Sequence, residues 1–362
     1  MGNLSSPAIV LLLLLSATAQ AQTDNPDWRM PRTEYGFPDL QGTWFFGSRT
    51  PFQRPVQLGS KKSYTEQEAR ELEQVMRGRL EQWDQALDPD RDAPERGAVI
   101  RQEADDIFLG HYLEPVLVPV QGEYRTSVIY QPDNGRLPLR DGFRDFHAQR
   151  RTTGLLDTDG PEGQPLSGRC LMFGPALPSL TPVMMNPNMM IVQNRDYVVI
   201  TTEMIHDARI IRIDSDHRDD GIARWMGDSI AHWEGDTLVV HSQGFRPEQS
   251  HPMFLRHSEA LEITERYTLV ADDQLHYEFI ARDDIAFTEE VRAERIITRN
   301  APQEQVYEYA CHEGNHSLVG ILRGVRRQQV DAEFDPSVKI EAPREHNPED
   351  MLRHSQLAAP PQ

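Results

Sequence analysis

In Gln274-Leu275-His276-Tyr277-Glu278-Phe279-Ile280-Ala281, Leu275, Tyr277 and Phe279 share one face, while His276 and Glu278 share the other. Side chains of an extended chain point alternately to opposite faces, so this period of two marks a strand with one buried and one wet side. Comparable runs lie before it at 189–193, 197–202, 209–213, 222–226, 237–242 and 262–270, and after it at 286–297 and 306–311. Two earlier ones are at 116–120 and 124–130. Turn residues separate them, as in Pro132-Asp133-Asn134-Gly135 and in Gly235-Asp236, which reads as a hairpin turn feeding 237–242. Short strands at close spacing with turns between them predict a mainly β fold, an antiparallel barrel or strongly curved sheet.

The N-terminal side is different. Residues 24–60 are rich in proline and turn residues, with the start of a strand at Asp39-Leu40-Gln41-Gly42-Thr43-Trp44-Phe45-Phe46. Thr65-Glu66-Gln67-Glu68 has the pattern of a capping box. The helix it opens carries Ala69, Leu72, Val75, Met76, Leu80 and Trp83 at helical spacing and is predicted to end near Leu87. The expected organisation is a lead-in and helix over 22–110, a β-rich unit over 111–334, and a polar, proline-rich mobile tail over 335–362.

Ile9 to Leu15 form an apolar run followed by Ser16-Ala17-Thr18-Ala19-Gln20-Ala21, with no charged side chain before Asp24. This is the pattern of a signal peptide over 1–21, with cleavage expected after Ala21. The run falls short of the roughly 20 apolar residues a membrane span needs, and no longer one follows, so no integral membrane segment is expected after cleavage. The expected location is periplasmic or secreted. The net charge of −20, from 57 acidic and 37 basic residues, repels phosphate backbones and anionic headgroups, which excludes nucleic acid as a partner and leaves a small neutral or cationic ligand. Cys170 and Cys311 are the only cysteines. In an oxidising compartment they are expected to pair, the alternative being a reactive thiol at Cys311 beside His312 and Glu313.

Two polar clusters carry the candidate chemistry. The first holds Glu203, His206, Asp207 and Arg209, followed by Trp225, Asp228 and His232. His206 and Asp207 directly follow an apolar strand, and a His beside a carboxylate can act as general acid or base near neutral pH. The second holds Cys311-His312-Glu313-Gly314-Asn315-His316. In both, a strand-end hydrogen-bond network or a solvated turn is the competing reading. The catalytic candidates are His206, Asp207, Arg209, His312 and Glu313; the ligand-binding candidates are Glu203, Trp225, Asp228, His232 and Asn315. No H-E-x-x-H, paired C-x-x-C, G-x-S-x-G or P-loop pattern occurs, so no metal site and no cofactor are expected.

These motifs carry a resemblance. Asp39-Leu40-Gln41-Gly42-Thr43-Trp44, Glu203-Met204-Ile205-His206-Asp207-Ala208-Arg209, Trp225-Met226-Gly227-Asp228-Ser229, Trp233-Glu234-Gly235-Asp236-Thr237-Leu238 and Tyr307-Glu308-Tyr309-Ala310-Cys311-His312-Glu313-Gly314-Asn315 together resemble a large group of exported bacterial proteins of unknown function. The resemblance spans nearly the whole mature chain and implies export and a shared site. Gly42-Thr43-Trp44 is also similar to the G-x-W of lipocalin-like barrels, which implies a calycin-like fold. Such barrels enclose a small ligand. Three functions fit: an enzyme with His206 and His312 as acid/base, Asp207 and Glu313 orienting them and Arg209 binding a substrate oxygen; a noncatalytic carrier of a small apolar molecule; and a structural envelope protein.

Overall fold

The computed structural model describes residues 28–83, 115–146, 148–149, 159–172, 186–250, 255–301 and 304–334. The signal-peptide region 1–21 and the tail 335–362 lie outside these residues. Among them are the strands β1 (Gly42–Phe45), β2 (Ser63–Tyr64), β3 (Tyr124–Arg125), β4 (Ile129–Gln131), β5 (Asn188–Gln193), β6 (Tyr197–Thr202), β7 (Ala208–Ile213), β8 (Asp228–Glu234), β9 (Thr237–Gln243), β10 (Glu262–Ala271), β11 (Gln274–Arg282) and β12 (Val291–Arg299). The helices α1 (Glu66–Trp83) and α2 (His316–Phe334) accompany them.

One sheet runs β1-β5-β6-β7-β8-β9-β10-β11-β12, and β1 also pairs with β12, so nine strands close into a barrel with β4 added beside β12. The expected barrel is therefore present. It is mixed rather than purely antiparallel, because β7 and β8 run parallel, with Ile211 opposite Ser229 and Ile213 opposite Ala231. Alternation sets the inward face: Ile263, Glu265, Tyr267 and Leu269 of β10, and Leu275, Tyr277, Phe279 and Ala281 of β11, are all buried.

Closure rests on the short β1. Trp44 is fully buried and donates its indole N–H to Leu40 O at 2.9 Å. The Arg299 guanidinium lies 4.1 Å from the ring centroid and donates to Gln41 O at 2.7 Å. Gly42 has φ +130°, and a side chain there would run into that guanidinium.

Helix α1 begins as its sequence predicts. Thr65 N donates to Glu68 Oε2 at 2.8 Å, and Glu68 N donates back to Thr65 Oγ1 at 3.2 Å. Its Ala69, Leu72 and Met76 form a separate small core with Leu117. Leu87, its expected end, lies outside the described residues. Cys170 and Cys311 are disulfide-bonded across 141 residues, a closure that contributes up to about 5 kcal/mol in the chain-entropy account.

Several strand expectations are corrected. Residues 222–226 are not a strand but part of the crossover 214–227, which the parallel β7–β8 pairing requires. β8 itself escaped notice because its inward positions are Ser229, Ala231 and Trp233 while Ile230 points outward, the reverse of the usual pattern. Residues 306–311 are not a strand either: they pair with no strand of the barrel, and Tyr307 is 69% exposed. Residues 116–120 contribute only a bridge at Val120. The final strand begins at Val291, after a turn around Asp283. Helix α2 was not expected, since only Leu322 among its described side chains is buried.

The turn after β4 offers a direct test. Gly135 has φ +65°, and a Cβ there would lie 2.5 Å from Ser127 Oγ and 3.0 Å from Arg54 Cβ. Its carbonyl accepts from Arg54 N at 2.8 Å. Gly135→Ala is expected to cost roughly 2–4 kcal/mol, from left-handed strain plus overpacking. A urea titration should show a lowered midpoint with an unchanged slope.

Candidate functional site

The turn from β6 into β7 holds the first cluster. Glu203 is buried, and its carboxylate accepts from Asn186 Nδ2 at 2.8 Å and Asn188 Nδ2 at 2.6 Å. It thus pins the segment entering β5 to the end of β6. Thr202 N donates to Asp207 O at 2.9 Å, closing the turn. Between them, Ile205 (φ 60°) and His206 (φ 49°) are both left-handed. That region is costly for any residue with a Cβ, most of all for a β-branched one, at roughly 1–3 kcal/mol each. Ile205 is nevertheless buried in the main core while His206 is exposed. The buried isoleucine anchors the turn and the histidine is turned outward.

Asp207 follows directly. Its Oδ2 is buried and has no hydrogen-bond partner. Burial pushes its carboxyl pKa up to about 6, against a smaller lowering by His206. A carboxyl that exchanges its proton this close to neutrality is suited to general acid–base work.

Arg209, the second residue of β7, points into the barrel. It is 2% exposed and ion-paired to the fully buried Glu265, and it donates to Tyr267 Oη at 3.1 Å. Tyr267 and Tyr277 each donate to Glu265 Oε1 at 2.8 Å. Burial disfavours the Arg209 charge, but Glu265 more than offsets this and its pKa stays above the usual value. The expected substrate-binding arginine therefore has protein partners in the lumen. Arg295, also buried, donates to Phe46 O at 2.7 Å, and burial lowers its pKa to about 10.

The other candidates are scattered. His312 and Glu313 are exposed in the turn between Cys311 and α2. Asn315 donates to Gly168 O at 3.0 Å and accepts from Leu318 N at 3.3 Å, capping α2. Trp225 is stacked under the Arg246 guanidinium at 4.1 Å. His232 meets Glu234 at 3.1 Å on the outer surface. Asp228 is held by Arg212 at 2.8 Å and by His217 at 2.9 Å. Among the described residues no hydrogen bond or ion pair joins the His206 cluster to the His312 cluster, and no group of three or more His, Cys, Asp or Glu is arranged to hold a metal. No helix of the described residues is long and apolar enough to cross a membrane.

Sequence reasoning missed Glu265, Tyr267 and Tyr277. The signal was present: Ile263, Glu265, Tyr267 and Leu269 share one strand face, so a carboxylate sits in an otherwise apolar row. It also missed His257, fully buried with Nδ1 2.8 Å from Ser258 O and its pKa lowered by burial. His257 adjoins a small polar recess of about 90 Å³. His217 and His241, 2.7 Å apart, were missed as well. Comparison of the chain with protein-family models, with curated proteins and with solved structures finds no match.

Two predictions follow from these burials. Glu265→Gln leaves the Arg209 charge buried without its counter-ion and is expected to lose roughly 3–5 kcal/mol, while the paired Arg209→Met, Glu265→Leu change loses much less; urea denaturation of both variants distinguishes them. For Asp207 the folded pKa of about 6 lies above its ordinary 3.8. Its contribution to stability is therefore fully present below the lower value and lost as pH rises through the upper one. Asp207→Asn is neutral throughout and should exceed the wild type by about 1–3 kcal/mol at neutral pH, after allowance for partial solvent screening. The gap should close toward about pH 4, as read from melting temperatures across the range.

Proposed function

We propose that this is an exported small-molecule-handling enzyme that works by acid–base chemistry at the β6–β7 end of the barrel, with Asp207 as the proton acceptor and donor and His206 beside it. The observation that carries this reading is the Asp207 carboxyl, whose unpartnered, buried oxygen follows two consecutive left-handed residues. An unsatisfied carboxyl oxygen on a strained turn calls for an explanation, and strain of this kind gathers at sites of chemistry. Glu203 holds the turn, and Arg209 anchors β7 from within. His312 and Glu313 are kept in this reading as a second acid/base pair, with their backbone tethered by the disulfide at Cys311. The acidic surface favours a neutral or cationic substrate. The resemblance to exported proteins, with its shared Glu203-to-Arg209 motif, agrees with this placement.

The test is a turnover screen with small neutral and cationic esters, lactones and carbonyl compounds, comparing the wild type with Asp207→Asn, His206→Ala and His312→Ala. On any substrate found, Asp207→Asn should lose about 10²–10⁴-fold in rate with an unchanged circular-dichroism spectrum, and the wild-type rate should break near the Asp207 pKa. Undiminished turnover in Asp207→Asn would rule the reading out. A ligand that binds but is never turned over would favour the carrier.

A further inference from the structure

We propose that His217 and His241 form a pH-sensitive latch that fastens the crossover 214–227 to strand β9 and lets go of that strand when the pair takes up a second proton. The latch stands independently of the assignment of Asp207.

His217 lies in the crossover, and His241 lies on β9 with its side chain between β8 and β10, opposite Ile230 and Thr264. Four side chains stand in line. His217 Nδ1 is 2.9 Å from Asp228 Oδ2, His217 Nε2 is 2.7 Å from His241 Nδ1, and His241 Nε2 is 3.9 Å from Glu262 Oε2. The charged groups around them are Arg212 from β7, Asp228 from β8, Arg218 from the crossover, Glu262 from β10 and Arg282 from β11.

Proton counting fixes how this contact behaves. Burial would raise the Asp228 pKa, but hydrogen bonds from Arg212, the Arg218 amide and His217 hold it well below the usual range, so it is a carboxylate and accepts from His217 Nδ1–H. The remaining 2.7 Å contact needs one hydrogen between two ring nitrogens. With both rings neutral, His241 Nδ1–H donates to the His217 lone pair. With one added proton, the pair still shares a single hydrogen across the contact. With two, each facing nitrogen carries a hydrogen, no lone pair remains, and the rings must part. Two facing N–H groups and two like charges oppose uptake of the second proton, so the two sites are coupled. The direction of the His241 shift agrees: burial lowers its pKa, followed by the His217 charge.

The place of the latch gives it consequence. The crossover joins the one parallel pair of the barrel, β7 and β8, whose register covers three residue pairs. Parallel pairing is the weaker kind, and this seam is short. Parting the rings removes the side-chain tie from the crossover to β9, while Arg212 and Asp228 still hold residues 215–218 to β7 and β8, and backbone bonds join Asp214 to Ala231 and Arg224 to Gly244.

Amide hydrogen exchange on the full chain, corrected for intrinsic rates, tests this between about pH 7 and pH 4. Protection of 214–230 should fall about tenfold more than that of the β10–β11 hairpin. In His241→Gln, whose side chain cannot be protonated, this acid step should vanish. Ring-nitrogen NMR of the wild type provides a second reading that needs no variant: the two imidazoles should titrate in coupled steps, the second coinciding with the loss of protection. Uniform protection through the whole range, an undiminished step in His241→Gln, or independent titration of the two rings would each overturn the latch.

Discussion

The β1–β12 pairing is the contact on which the rest of the molecule depends. It is short, with Trp44 opposite Arg299 and Phe45 opposite Thr298, yet it turns an open sheet into a barrel. A closed barrel has no edge strand and one interior. That interior is where Trp44 is buried, and the Arg299 guanidinium stacked on its ring ties the last strand to the first. The hydrogen bonds from Arg299 to Gln41 O and Asp272 O hold the seam from outside. Without closure, β1 and β12 would each present an unpaired row of backbone groups, and the lumen would be open to water.

Closure in turn makes the lumen's charges tolerable. Arg209, Glu265, Tyr267 and Tyr277 meet inside the barrel, and each polar contact there is strong because the surroundings are dry. The same dryness makes any missing partner costly. Such a network contributes little net stability compared with apolar packing. Its effect is on register: Arg209 on β7 must sit opposite Glu265 on β10, across the barrel wall's interruption at the parallel seam. A slip of one residue in either strand would turn the charge to the outside and leave its partner alone.

The β7 strand links the three features of interest. Its N-terminal end carries the strained Ile205–His206 turn and Asp207, its interior face carries Arg209, and its outer face carries Arg212, which holds Asp228 and through it His217. Chemistry, core and latch thus share one short element. It is flanked on one side by the ordinary antiparallel β6 and on the other by the parallel β8.

The strand-rich fold was legible in the sequence because alternation is a local property: Leu275, Tyr277 and Phe279 declare a buried face whatever the strand pairs with. The capping box at Thr65 and the hairpin at Gly235 were legible for the same reason, and the pairing of Cys170 with Cys311 followed from there being only two cysteines. The candidate status of His206 and Asp207 could also be read from their position after an apolar strand. What the sequence could not determine was anything set by partners distant along the chain. Whether 306–311 forms a strand depended on finding a partner in the sheet, and β12 takes β11, β1 and β4 instead. Whether 222–226 forms one depended on β8 running parallel to β7, which turns that stretch into a crossover. Arg209 read as the group that binds a substrate oxygen until Glu265, 56 residues away, gave it an interior partner. The raised pKa of Asp207 and the meeting of His217 with His241 likewise arise only when the closed barrel removes water from the one and brings the other two together.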